Sequence, residues 1–182
     1  MMQHKTSPFA NPTAIASYTE DTPRKVPGLA DLHRMAMLLL AEQAPGGAHI
    51  LVVGAGGGME TRALAEAQPA WRFTGIDPSP AMLDLARRTL APTIDRVELL
   101  EGTIDQAPTG PFDGATCILT LHHIDRNERL RTLREIRQRL KPGANLVVAE
   151  HAAPGPDPVR WMTRSVAFGD RTGLDWDKAA AT

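Results

Sequence analysis

Cysteine, aromatic residues and charge imbalance are all scarce in this chain. One cysteine, Cys117, stands among 182 residues. It cannot close an internal disulfide or build a thiolate zinc cage, so a reducing cytoplasm is the expected compartment. It lies inside the apolar run Ala115-Thr116-Cys117-Ile118-Leu119 and reads as a small buried hydrophobe. Aromatic residues make up 4% of the chain, so the core must be aliphatic. A formal net charge of −1 carries no polyanion-binding signature and argues against a nucleic-acid partner. The longest apolar run, Met35 to Ala41, falls far short of the ~20 residues a bilayer-spanning helix needs, so no membrane association is expected. Met1-Met2-Gln3-His4-Lys5 runs into polar, proline-bearing sequence, and a secretory leader is not expected. No carboxylate–histidine cluster at ligand spacing calls for a metal, and no repeat of solenoid period is present.

What the chain has is alternation. Residues 1–28, with Pro8, Pro12, Pro23 and Pro27, predict an extended arm. From Leu29 apolar residues recur at three- and four-residue steps (Leu32, Met35, Ala36, Leu39, Leu40), a helix stopped before Pro45-Gly46-Gly47. Strands are predicted at 49–53, 71–76, 96–100, 114–121 and 145–149. Helices are predicted between them at 59–68, 81–90 and 127–140, the last halted by Lys141-Pro142-Gly143. Strands alternating with helices predict parallel pairing and a doubly wound, mostly parallel α/β sheet of about five strands. The arginines at 126, 129, 131, 134, 137 and 139 read as a solvated helix face. The chain divides into the arm 1–28, a cofactor-binding domain 29–150 and a short C-terminal segment 151–182.

The run His49-Ile50-Leu51-Val52-Val53-Gly54-Ala55-Gly56-Gly57-Gly58 is a buried strand ending in a glycine turn that opens a helix at Met59. Such a turn suits an adenosine-containing cofactor, because its backbone must visit positive φ and lie flat against the ligand. The dinucleotide fingerprint needs a glycine where this chain has Met59. Counted as G-x-G-x-G, Gly54, Gly56 and Gly58 fit without a gap. Strand two ends in Asp77, where a carboxylate can accept both ribose hydroxyls or else cap the helix at Pro78. Strand three runs into Glu101-Gly102-Thr103-Ile104-Asp105, offering a polar edge and an aliphatic cover for a base. Strand four runs into Thr120-Leu121-His122-His123-Ile124, where an acceptor pocket belongs.

The order of Gly54-Ala55-Gly56-Gly57-Gly58, Gly75-Ile76-Asp77-Pro78-Ser79-Pro80-Ala81-Met82, Glu101-Gly102-Thr103, Phe112-Asp113 with Leu121-His122-His123, and Leu140-Lys141-Pro142-Gly143 is similar to the class I S-adenosylmethionine-dependent methyltransferase family. The likeness covers about residues 49–150. It implies a Rossmann-like fold, S-adenosyl-L-methionine as cofactor, and cofactor contacts from Gly54, Ala55, Gly56, Gly58, Asp77, Pro78, Met82, Thr103, Ile104 and Leu119. Arg24-Lys25-Val26-Pro27-Gly28 also resembles a subgroup that includes carboxy-S-adenosylmethionine synthases, although that subgroup carries Tyr where this chain has Leu29. Two further departures stand out. The family usually has an acid two residues before the first glycine, here Val52, and often Asp at the adenine position, here Thr103.

The resemblance implies methyl transfer to a small-molecule acceptor. Alignment and desolvation can supply much of the acceleration, and a base is needed only for a protonated, weakly nucleophilic acceptor. His122, His123 and His151 are the candidates. If 122 and 123 are strand neighbours, at most one of them faces the pocket. Tyr18 and Trp161 are candidates for a lid. The family sheet normally ends in an antiparallel strand pair, and residues 151–182 show no hairpin of alternating apolar residues. They show prolines and a short helix at 159–168 instead. This leaves two alternatives to the small-molecule enzyme: a truncated, catalytically inactive cofactor-binding protein, and a nicotinamide-dependent oxidoreductase, which Met59 argues against. It also leaves Leu146-Val147-Val148 as an uncovered edge through which a homodimer could pair.

Overall fold

A computed structural model describes residues 15–152, 155, 157–170 and 175–181. Its centre is a five-stranded sheet in the order β3-β2-β1-β4-β5, with every pairing parallel. The strands are β1 His49–Val53, β2 Arg72–Asp77, β3 Val97–Glu101, β4 Phe112–Ile118 and β5 Leu140–Ala149. The helices are α1 Tyr18–Lys25, α2 Leu29–Ala41, α3 Met59–Ala67, α4 Pro80–Thr89, α5 Arg126–Gln138, α6 Pro158–Gly169 and α7 Trp176–Ala181.

Ile50, Leu51 and Val52 of β1 are 0% exposed. A strand covered on both faces reads as an unbroken apolar run, which is why β1 lies at the centre of the sheet. One face packs Ile50 and Val52 against Leu40, Leu64 and Ala86 of α2, α3 and α4. The other packs Leu51 and Val53 with Cys117 and with Ile136 of α5. Strand order reverses between β1 and β4, and a crevice opens at such a point beyond the carboxyl ends of the strands.

The structure corrects the sequence reading at several elements. The arm is not extended over its described part: residues 18–25 form α1 despite Pro23, because Ile15 and Tyr18 pack against Met82 and Leu85 of α4. Strand four ends at Ile118 rather than Leu121, because Leu119 takes φ +52 and the next residues form a 3₁₀ turn over Leu121–His123. Strand five begins at Leu140. Leu140 pairs with Phe112 and Asn145 with Gly114, so Lys141-Pro142-Gly143 bulges within the strand rather than preceding it. Arg139 is not solvated: it is 9% exposed and its guanidinium donates to the Glu135 carboxylate at 2.7 Å. The C-terminal segment forms α6 and a further helix, α7, that periodicity does not reveal. They pack on each other, and α6 packs on α1. Pro154 and residues 171–173 lie outside the described residues. Among those described, no strand pairs with the outer edge of β5, and no helix is long and apolar enough to cross a membrane.

Candidate functional site

The glycine turn is fixed by backbone bonds before any side chain contributes. The N–H groups of Gly54 and Ala55 donate to the Ile76 carbonyl at 2.9 and 3.0 Å, and the Gly58 N–H to the Ala55 carbonyl at 3.0 Å. This lashes the turn to the end of β2, where Asp77 stands. Asp77 is 9% exposed and points at the turn: one carboxylate oxygen accepts from the Gly56 N–H and the other from the Ser79 N–H, each at 2.9 Å. A carboxylate has about four lone-pair sites, so two remain for a ligand. Burial raises its pKa, and the two N–H bonds pull it back. The helix-capping role that competed for Asp77 belongs to Ser79, whose hydroxyl accepts from the Met82 N–H at 3.3 Å.

A cavity of about 1200 Å³ opens at the ends of β1, β2 and β4. It exceeds the ~300–1,000 Å³ of ordinary ligand pockets and has room for a cofactor and an acceptor together. Gly54, Ala55, Gly56, Asp77, Pro78, Met82, Thr103, Ile104 and Leu119 all line it. Gly56, at φ +50, presents its Cα to the cavity. A Cβ there would meet nothing nearer than the Tyr18 hydroxyl at 3.6 Å and the Met82 methyl at 3.7 Å. Gly58 is placed otherwise than the resemblance implies. It is not a lining residue, and a Cβ on it would lie 3.1 Å from the Ala86 Cα and from a Leu90 methyl. Its role is to let α3 and α4 approach, and Gly57 lines the cavity in its stead. Ile104, 2% exposed, forms an aliphatic wall. Thr103 is already engaged, because its N–H and its hydroxyl both bond the Gln106 side-chain oxygen, at 2.8 and 3.1 Å.

At the acceptor end the turn after β4 changes the geometry expected of the histidines. His122 and His123 are not strand neighbours on opposite faces. Their rings lie 3.9 Å apart, and both line the cavity. Glu150, which follows β5, holds this turn. One oxygen accepts from the N–H groups of Thr120 and Leu121 at 2.7 and 2.5 Å, and the other meets His122 Nδ1 at 2.8 Å. Burial pushes the Glu150 carboxyl up, and the bonds from His122 and the turn more than offset this, leaving it below its usual range. In the neutral tautomer that donates Nδ1–H to this carboxylate, the lone pair of His122 sits on Nε2. Burial, then the neighbouring His122, lower the pKa of His123. His151 stays outside the lining, its ring 5.5 Å from His122 and 5.9 Å from Trp161. Trp161 does not line the cavity, whereas Tyr18 does.

Two acids escape the sequence reading. Glu150 could have been found, since every strand's carboxyl end faces the crevice and Glu150 leaves β5. Glu60 follows the glycine turn and is buried on α3; an acid in a first helical turn ordinarily signals nothing beyond a favourable dipole. Among the described residues no group of histidine, cysteine or acidic side chains is arranged to hold a metal.

The cavity suits a cationic adenosyl ligand, with a bonded carboxylate beside an open backbone turn and an aliphatic wall opposite. Comparison with known proteins agrees. A family model described as "Methyltransferase domain" matches residues 51–146. The carboxy-S-adenosyl-L-methionine synthase of Chromohalobacter salexigens is 30% identical over 140 residues, 75% of this chain and 52% of that protein. The ubiquinone biosynthesis O-methyltransferase of Xanthomonas campestris pv. campestris is 33% identical over 107 residues, 57% of this chain and 43% of that protein. The chain thus spans about half the length of the curated relatives it matches. Among solved structures, CalS10 bound to S-adenosylmethionine, an amino pentose methyltransferase from Micromonospora echinaspora, superposes with a TM-score of 0.64 at 25% identity, covering 75% of this chain and 57% of that one.

Proposed function

This chain belongs to the class I S-adenosylmethionine-dependent methyltransferase family, and from that premise we propose that it methylates a small molecule whose attacking atom carries a proton, with His122 as the base that removes it. The observation that carries this reading is His122 at the cavity wall, bonded from behind by the Glu150 carboxylate. S-adenosylmethionine supplies an electrophilic methyl group on a sulfonium. The chain's residues align the partners and remove the proton. Asp77 and the turn at Gly54–Gly57 hold the adenosyl end. Ile104 and Met82 wall the adenine away from water. Glu150 favours the tautomer of His122 whose Nε2 can take the proton from the acceptor's attacking atom, and the imidazolium that results is stabilised by the carboxylate beside it. Tyr18 from α1, lying over the turn, closes the cavity from the side of the N-terminal helix.

The test is a survey of small-molecule pools with deuteromethyl-labelled S-adenosylmethionine, read by mass spectrometry for labelled products and released S-adenosylhomocysteine. A labelled product whose formation falls about 100-fold or more in His122→Gln supports the reading, since base catalysis is worth ~10²–10⁴-fold. A labelled product formed equally fast by His122→Gln would refute the base. Binding of S-adenosylhomocysteine with no turnover of any pool would favour a cofactor-binding protein without catalysis.

A further inference from the structure

One oxygen of the buried Glu60 carboxyl has no hydrogen-bond donor among the described residues. Glu60 is 8% exposed and lines the cavity; its sealed Oε1 and the Thr116 hydroxyl both lack a well-formed hydrogen bond, although that hydroxyl lies near enough to lower the Glu60 pKa against the burial that raises it. Burying a carboxylate without donors is costly. Burial pushes this carboxyl up to about 7, so the free protein carries it protonated below that pH.

Among the described residues lining the cavity, no lysine or arginine is in place to neutralise it. Arg131 is the one lysine or arginine among the lining residues, and its guanidinium is taken by Asp105 and Glu128. Tyr18 of α1 and Cys117 of β4 are the titratable groups whose fields couple to Glu60, and burial raises both pKa values, holding both groups neutral at pH 7. Burial also lowers the pKa of His33 of α2, which lines the same cavity. The positive charge that would satisfy Glu60 must therefore arrive with a ligand.

Its location narrows the chemistry. Thr116 is the registered partner of Val52 across β1 and β4, so the two side chains leave the same face of the sheet. Val52 is the position, two residues before the first glycine, where the family usually carries its acid. Glu60 reaches that face from the first turn of α3 and brings to it the carboxyl that β1 lacks. We propose that Glu60 is the receptor for a primary ammonium group, supplied by the amino-acid end of S-adenosylmethionine or by an amine on the acceptor. An ammonium offers three donors and no acceptor, which complements one carboxylate oxygen and the neighbouring Thr116 hydroxyl. The proposal rests on the family's cofactor and is independent of the role given to His122.

Calorimetry on the whole protein tests it with three probes: S-adenosylhomocysteine, methylthioadenosine (which lacks the amino-acid end), and butylammonium added to protein saturated with S-adenosylhomocysteine. Tenfold or greater weakening of S-adenosylhomocysteine in Glu60→Gln, with methylthioadenosine unchanged, assigns the ammonium to the cofactor. Butylammonium bound by the wild type and not by Glu60→Gln, with S-adenosylhomocysteine unchanged, assigns it to the acceptor. In either case the wild-type advantage grows from pH 6 to pH 8 as Glu60 ionises. Equal weakening of both nucleosides would show that Glu60 only supports the turn and would overturn the proposal, as would no change with any probe. Should Glu60→Gln fold poorly, the wild type decides alone: ammonium-bearing ligands must displace a proton below pH 7, seen as heats that depend on the buffer's ionisation enthalpy, and an absence of proton release overturns the proposal. Failure of S-adenosylhomocysteine to bind the wild type at all would instead count against the cofactor assignment.

Discussion

Asp77 holds the Gly56 and Ser79 N–H groups and keeps two lone-pair sites for a ligand. Asp77→Ala should weaken S-adenosylhomocysteine by about 2 kcal/mol, close to thirtyfold, through the loss of two charge-assisted ribose bonds. Calorimetry measures this directly, and unchanged affinity would make the acid only a tether for the turn. Glu60 gives a second prediction at this scale. The unfolded chain ionises this carboxyl near 4.5 and the folded, ligand-free chain near 7, so its contribution to stability is whole below pH 4.5 and is lost as pH rises to 7. Glu60→Gln should therefore gain on the wild type across that window, by about 3 kcal/mol at full effect. Melting curves at pH 4.5 and pH 7.5 check the sign. A gap that narrows with rising pH would mean that the carboxyl is not desolvated in the fold. Asp77 was legible in the sequence because it closes a strand at the expected distance from the glycines. Glu60 was not, because an acid in a first helical turn looks the same whether it faces water or the core.

Two glycines of one turn should fail in different ways. Both hold positive φ, but at Gly56 an added Cβ meets only the ends of Tyr18 and Met82, whereas at Gly58 it meets the backbone of α4 at 3.1 Å. Gly56→Val should cost about 1–2 kcal/mol of stability, from the strain of a side chain at φ +50, and abolish S-adenosylhomocysteine binding. Gly58→Val should cost about 2–3 kcal/mol of stability, from strain and the separation of α3 and α4. Thermal melts paired with calorimetry distinguish the two, and equal loss of stability in both would remove the packing role given to Gly58. The G-x-G-x-G spacing showed where the chain turns, and could not show which glycine faces a ligand and which faces a helix. The end of β4 escaped for a related reason: Leu119 adopts φ +52, a conformation that no side-chain pattern signals, and the turn it starts brings His122 and His123 to the same side. The central strands, by contrast, were plain in the sequence, because a parallel strand covered on both faces needs an uninterrupted apolar run.

Across the whole molecule, the C-terminal helices act on the cavity without lining it. α6 packs on α1, and α1 carries Tyr18 over the glycine turn. The approach is close, with a Cβ at Gly169 lying 3.6 Å from the Lys25 side chain. Deleting residues 158–181 should leave the sheet cooperative in urea and weaken S-adenosylhomocysteine several-fold by freeing Tyr18. Binding as tight as in the full chain would confine α6 to a decorative role. The sequence placed α6 and missed its destination, because docking between distant helices leaves no local periodicity to read.

The cysteine on β4 has one more consequence. Cys117 is fully buried, and burial, with the Glu150 and Glu60 charges acting in the same sense, pushes its thiol up to about 12. Alkylating reagents require the thiolate, so labelling of the native protein should be slow and proceed through openings that expose β4. The rate at which iodoacetamide labels the chain is thus an internal clock for global opening, and slowing of that clock by an added nucleoside reports its binding with no assay of turnover.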